Sequence, residues 1–150
     1  MLEVLDSGEL DEMVPQTAST ILVVDDYPDN RTLLSAWLRA KGFKVVEAED
    51  GKEGVLQANR SHPDLILMDL AMPELDGVEA TRQLRERQAF SRTPIFAITA
   101  YGTHDVKQDA MDAGCNEVLA KPLDLELLLG KIKSSLASVN STAGPRPVAH

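Results

Sequence analysis

Cysteine occurs once in this chain of 150 residues, at Cys115. No internal disulfide can form, and a metal site built on thiolates is disfavoured. Basic residues are scarce: 15 Lys and Arg stand against 24 Asp and Glu, a net charge of -9. A nucleic-acid surface needs clustered cations to neutralise phosphates, so no nucleic acid is expected as a partner. The acidic excess suits a cation site or a basic partner instead. No apolar run approaches the length that spans a membrane, so no membrane is expected either. Residues 1–20 carry five acids and no base, which is not the start of a secretory signal. The default compartment is therefore the cytosol. No internal repeat is visible. The length points to one domain that buries about two thirds of its unfolded surface.

What the sequence does contain is a series of short apolar runs, each stopping at a polar residue. The clearest is Leu65-Ile66-Leu67-Met68, which ends at Asp69. A Pro-containing loop follows, Leu70 to Asp76, and Gly77 closes it. An apolar run without alternation, bounded by turn residues, reads as a strand buried on both faces. Ile21 to Val24 repeats the pattern and stops at Asp25-Asp26. Lys44 to Ala48 is a short second strand. Pro94 to Ala100 is a fourth and carries Thr99 near its end. Glu117 to Ala120 is a fifth and stops at Lys121-Pro122.

Helical spacing fills the gaps. Leu33, Leu34, Trp37 and Leu38 mark one face of a first helix, which Gly42 stops. A weaker helix runs from Lys52 to about Asn59. Val78 to Arg87 places Val78, Thr81 and Leu84 inward. His104 to Ala113 places Val106, Ala110 and Ala113 together, and Gly114 ends it. In the last helix Leu125, Leu128, Leu129, Ile132 and Leu136 follow a 3.6 period, with Asp124 as N-cap and Leu123 and Leu127 off the stripe. Residues 1–19 are acidic and then Pro/Ser/Thr-rich, and read as an extension. Residues 20–137 form the domain, and 138–150 are small and polar enough to read as a flexible tail.

Strands alternating with helices imply an α/β fold, a doubly wound five-stranded parallel sheet with five helices covering both faces. Right-handed crossovers bring all the strand C-termini to one edge. That edge carries Asp25, Asp26, Asp69, Thr99 and Lys121. Ligands in such sheets bind at this edge. Close carboxylates repel one another unless a cation sits among them. Hard oxygen donors select Mg²⁺, which favours phosphate-bearing partners. A lysine and a hydroxyl add donors for an anion. The set suits phosphoryl transfer, in which a carboxylate can itself be the nucleophile.

These residues, taken together, resemble a known family. Asp25-Asp26, the stretch MDLAMPELDG from Met68 to Gly77, Thr99-Ala100 and Lys121-Pro122 occur in order across Ile21 to Leu136. The chain is similar to response-regulator receiver domains of two-component signalling. The resemblance implies the flavodoxin-like strand order 2-1-3-4-5. It implies that Asp69 accepts a phosphoryl group from a sensor histidine kinase or a histidine phosphotransfer protein. Asp26 and Asp69 would bind Mg²⁺ with the carbonyl of Ala71, and Asp25 would bind it through water. Thr99, the amide of Ala100 and Lys121 would contact the phosphoryl oxygens. The Lys121-Pro122 bond would be cis. The chain reads as a stand-alone receiver whose output is contact with a downstream protein, a homodimer being one form open to it. It would assist its own phosphotransfer without being a turnover enzyme.

One position departs from the family pattern. Val118 stands three residues before Lys121, where receivers often carry a switch aromatic. Output through the loop after Thr99, with Tyr101 as the substitute, is the expectation that follows. Two other functions fit parts of the sequence. A Mg²⁺-dependent phosphohydrolase would also use an aspartyl phosphate, but it wants an acid where Ala71 stands. A pseudo-receiver would bind partners without phosphorylation. A flavin module is disfavoured, because DDYPDN after the first strand would repel a phosphate. Cys115, following Gly114, is expected to be a small buried residue. His104 is expected to be exposed.

Overall fold

The computed structural model describes residues 18–70 and 76–143. Five strands are present: β1 (Thr20–Val24), β2 (Lys44–Ala48), β3 (Leu65–Asp69), β4 (Ile95–Thr99) and β5 (Glu117–Ala120). They form one sheet in the order β2-β1-β3-β4-β5, with every neighbouring pair parallel. Both the class and the order match the expectation. The helices are α1 (Pro28–Ala40), α2 (Gly51–Ser61), α3 (Gly77–Arg85), α4 (His104–Ala113) and α5 (Leu125–Ala143).

The two-residue period of a strand explains why these strands read as continuous apolar runs. In β1, Leu22 and Val24 face one side, where they pack with Ala58 of α2, Ala80 and Leu84 of α3 and Ala110 of α4. Ile21 and Val23 face the other side, with Leu38 of α1 and Leu128 and Ile132 of α5. Both faces are covered, so neither set of positions can be polar. The register aligns Val24 with Met68, Asp69 with Ile98 and Thr99 with Ala120. Asp25 and Lys121, each one residue past a strand, therefore reach the same edge as Asp69.

Local chemistry sets the helix starts. Asp50 accepts from the Glu53 N–H at 2.7 Å, and the Glu53 carboxylate accepts from the Glu49 N–H at 2.8 Å. Asp76 caps α3 through the Glu79 N–H, and Asp124 caps α5 through the Leu127 N–H as expected. No helix among the described residues is long and apolar enough to cross a membrane.

Four details differ from the sequence reading. Leu33 is not on the inner face of α1 but is 72% exposed. The buried positions are Ser35 and Leu38, and a residue two places before Ser35 points away from the sheet. Leu125 is also exposed, since it opens the first turn of α5 before the helix meets the sheet, whereas Leu123 packs on the α1–α5 side of the core. The first half of the expected tail, through Ser138 to Ala143, is helical. Packing of Leu128 and Ile132 nucleates α5, and extending a nucleated helix costs little even through Ser, Val and Asn. Finally, α3 ends at Arg85, and a 3-10 turn, Gln88–Phe90, follows it.

Arg85 explains that end. Its Nε and Nη2 donate to the Gly114 carbonyl at 3.0 and 2.9 Å, and Nη1 donates to the carbonyls of Phe90 and Thr93. Nη2 also meets Oδ1 of Asn116, which accepts the first amide of β4, from Ile95, at 2.8 Å. Burial pulls the Arg85 guanidinium below its ordinary value. Gly114 has φ 117°, and a Cβ there would strike the Arg85 stem. Only glycine fits both demands.

Candidate functional site

The end of β3 and the loops after β1 and β5 bring four side chains into one pocket. Asp25 and Asp69 are buried and Asp26 is exposed. One carboxylate oxygen from each of the three lies within 4.8 Å of the others. Lys121 Nζ enters between two of them, 3.4 Å from Oδ2 of Asp69 and 3.9 Å from Oδ2 of Asp25. The lysine holds together acids that would otherwise repel one another in a poorly solvated place.

Each member is positioned by backbone as well as by its neighbours. The Asp25 amide continues the ladder by donating to the Ala48 carbonyl at 3.1 Å. Its carboxylate accepts from the Tyr27 N–H at 2.9 Å. Asp69 ends β3, and the following Leu70 amide donates to the Ile98 carbonyl at 3.0 Å. Gly77 then folds the chain back against β3: a Cβ there would land on the Asp69 carbonyl oxygen. That contact is why the loop must close on glycine. Lys121 is fixed by its own amide, which donates to the Thr99 carbonyl at 2.8 Å. The Lys121-Pro122 bond is cis, as the resemblance implied.

Thr99 is buried at the end of β4. Its Oγ1 accepts from the Tyr101 N–H at 2.9 Å and donates to the Tyr101 carbonyl at 3.2 Å. The hydroxyl thus ties down the start of the β4–α4 loop. Ala100 is exposed beside it, as are His104 and the Tyr101 side chain. Val118 is partly buried and packs on the core face shared with α2, α3 and α4. Ala71, expected to lend a carbonyl, lies outside the described residues, as does Pro73.

The sequence reading missed Arg31. Its Nη1 donates to the Asp25 carbonyl oxygen at 2.7 Å, from the first turns of α1. A lone basic residue six positions after an acid is too common a pattern to single out. Cys115 is buried as expected, with Sγ 3.7 Å from the Thr81 hydroxyl. Burial pushes its thiol up, against smaller opposing effects of the Thr81 hydroxyl and the Arg85 charge.

The donor set fits a hard divalent cation. Three carboxylates supply oxygen and negative charge, with no competing nitrogen or sulfur ligand in the cluster. A five-stranded parallel sheet with three acids and a lysine gathered at its carboxyl edge defines a doubly wound α/β protein. The family model of the response regulator receiver domain matches residues 21–133, and the chain belongs to that family. It is therefore a receiver domain of two-component signalling.

Among curated relatives, the protein PilH of Pseudomonas aeruginosa is 39% identical over 117 residues, covering 78% of this chain and 97% of PilH. The sensor protein EvgS of Escherichia coli K12 is 37% identical over 128 residues, covering 85% of this chain and 10% of EvgS. The chain thus spans about a tenth of one relative and nearly all of another. The solved receiver domain of sensor histidine kinase PA1611 from Pseudomonas aeruginosa PAO1 has a TM-score of 0.75 and 37% identity. That match covers 80% of this chain and 98% of the solved one, which holds a magnesium ion coordinated in its active site cleft.

Proposed function

We propose that this receiver is a phosphorylation switch, charged on Asp69 by a phosphohistidine of a sensor histidine kinase or a histidine phosphotransfer protein. The observation that carries the reading is the pocket itself: three acids within 4.8 Å, with Lys121 Nζ 3.4 Å from Asp69. A carboxylate oxygen of Asp69 forms the new bond to phosphorus as the phosphorus–nitrogen bond of the donor breaks, and the imidazole leaves with the electron pair. Lys121 already touches Asp69 and exchanges that contact for one with a phosphoryl oxygen. Thr99 gives up its bonds to the Tyr101 backbone to donate to a second oxygen, helped by the Ala100 amide. Asp25, Asp26 and Asp69, together with the Ala71 carbonyl, would hold Mg²⁺. When bound, Mg²⁺ supplies neutralisation of phosphoryl charge.

The same reading makes the output a protein contact, with Thr99 and the Tyr101 loop as the part that moves, and it places the chain in the cytoplasm. The test is incubation with acetyl phosphate and Mg²⁺ followed by intact mass. A single phosphoryl adduct on the wild type, absent from Asp69→Asn, is the expected result. No adduct on the wild type would overturn the switch in favour of a pseudo-receiver. Repeated turnover of small phosphomonoesters would instead make it a phosphohydrolase.

A further inference from the structure

The turn that carries Asp25 and Asp26 is braced from outside the acidic pocket. Arg31 Nη1 donates to the Asp25 carbonyl at 2.7 Å, and Arg31 Nε donates to Oε1 of Glu47 at 3.2 Å. Glu47 lies on β2, the edge strand next to β1. Its other oxygen is 3.6 Å from Arg39 Nη2, and that guanidinium also donates to the Val45 carbonyl at 3.3 Å. The Arg31 side chain is 17% exposed, so the fork is packed rather than free in water.

Asp25 is thus anchored to β2 twice. Its amide bonds directly to the Ala48 carbonyl, and its carbonyl is held through Arg31 and Glu47. That carbonyl belongs to the peptide joining Asp25 to Asp26. A peptide is planar, so fixing its oxygen fixes the direction in which the chain leaves for Asp26. Asp25 also has the Tyr27 amide on its carboxylate. Asp26 is exposed and takes its orientation from this peptide.

We propose that Arg31, braced by Glu47, is a positioning residue that preorganises the Asp25–Asp26 pair for a divalent cation. The inference rests on reading the acidic cluster as a metal site. Two physical effects of Arg31 oppose each other. As a positive charge near the pocket it repels a cation. As a clamp on the peptide it lowers the cost of arranging the ligands. Glu47 neutralises the charge and leaves the clamp, so removal of Arg31 weakens binding although it removes a cation.

The variant Arg31→Met with Glu47→Gln removes one charge of each sign, and so isolates the clamp. Calorimetric titration of the full chain with Mg²⁺ should show affinity weakened about tenfold, as for other partners that orient metal ligands. At saturating Mg²⁺ its rate of phosphorylation by acetyl phosphate should return to the wild-type rate. Thermal unfolding without Mg²⁺ reports whether the variant folds. Arg31→Lys, which keeps the charge and loses the fork, should bind Mg²⁺ with intermediate affinity, and it decides the matter if the double variant does not fold. Affinity equal to or tighter than wild type in a folded variant would overturn the clamp while leaving the metal site standing. So would a rate loss that Mg²⁺ does not repair. A wild type that binds no Mg²⁺ would remove the metal site, and the clamp with it.

Discussion

The ammonium of Lys121 lies 3.4 Å from Oδ2 of Asp69, and the two are joined across the sheet from the ends of β5 and β3. It also reaches Asp25 at 3.9 Å, so one cation serves two buried acids. Removing it leaves those acids facing each other. Lys121→Met should lose about 1–2 kcal/mol of stability, less than a fully buried pair because the lysine is partly exposed. On the proposed reading Mg²⁺ binds the folded state and not the unfolded chain, so it should restore much of that loss. Urea unfolding with and without Mg²⁺ measures both. A variant as stable as wild type in Mg²⁺-free buffer would deny the lysine this role.

The Thr99 hydroxyl bonds both the amide and the carbonyl of Tyr101. Thr99→Val keeps the shape and removes both bonds. The Tyr101 amide should then exchange with solvent faster, by roughly fivefold, the equivalent of about 1 kcal/mol of lost hydrogen bonding. Hydrogen exchange read by NMR checks it. Unchanged exchange at Tyr101 would mean that the loop is held by something else.

Gly77 should tolerate no side chain. Its Cβ would occupy the place of the Asp69 carbonyl oxygen and crowd the Leu70 Cα at 2.8 Å. Both are backbone atoms, so relief requires moving the end of β3. Gly77→Ala should cost about 3 kcal/mol or reduce soluble yield, with thermal unfolding as the measure. A variant with wild-type stability and phosphorylation would show that the loop has another way to close.

Cys115 makes alkaline stability depend on one thiol. Burial raises its folded value above the ordinary 9.0, so the unfolded chain ionises first. The contribution is fully present below 9.0 and is lost as pH rises through the folded value. Cys115→Ala should lose less stability across that window than wild type in paired urea titrations. Equal slopes would place the alkaline loss on other groups.

Ser35 offers a gain. Its Oγ is buried without a hydrogen-bond partner among the described residues, in the middle of α1. Ser35→Ala removes an unsatisfied group and improves helix propensity. The urea midpoint should rise, by about 1 kcal/mol in stability. A fall would reveal a partner for the hydroxyl, such as an ordered water.

Much of this protein was legible in the sequence. Leu65 to Met68 had to be a strand covered on both faces, because an unbroken apolar run has no side to offer water. Alternation of such runs with helical spacing left one topology class, and the right-handed crossover rule delivered Asp25, Asp26, Asp69, Thr99 and Lys121 to one edge. Leu33 and Leu125 were misplaced because their spacing fits a broad stripe, and the exact face is set by where the sheet lies. The extension of α5 to Ala143 was hidden because composition is a weak guide once packing has nucleated a helix.

The sequence by itself determined which groups meet: strand periodicity and chain direction are local properties, and they sort residues to faces and ends without reference to distance. Tertiary structure alone decided how those groups are held. The reach of Lys121 across two strands, the Thr99 hydroxyl turned onto the Tyr101 backbone and the Arg31–Glu47 brace behind Asp25 all depend on register between segments far apart in the chain. Side-chain hydrogen bonds are short and directional, so they exist only after the sheet has fixed the distances between them.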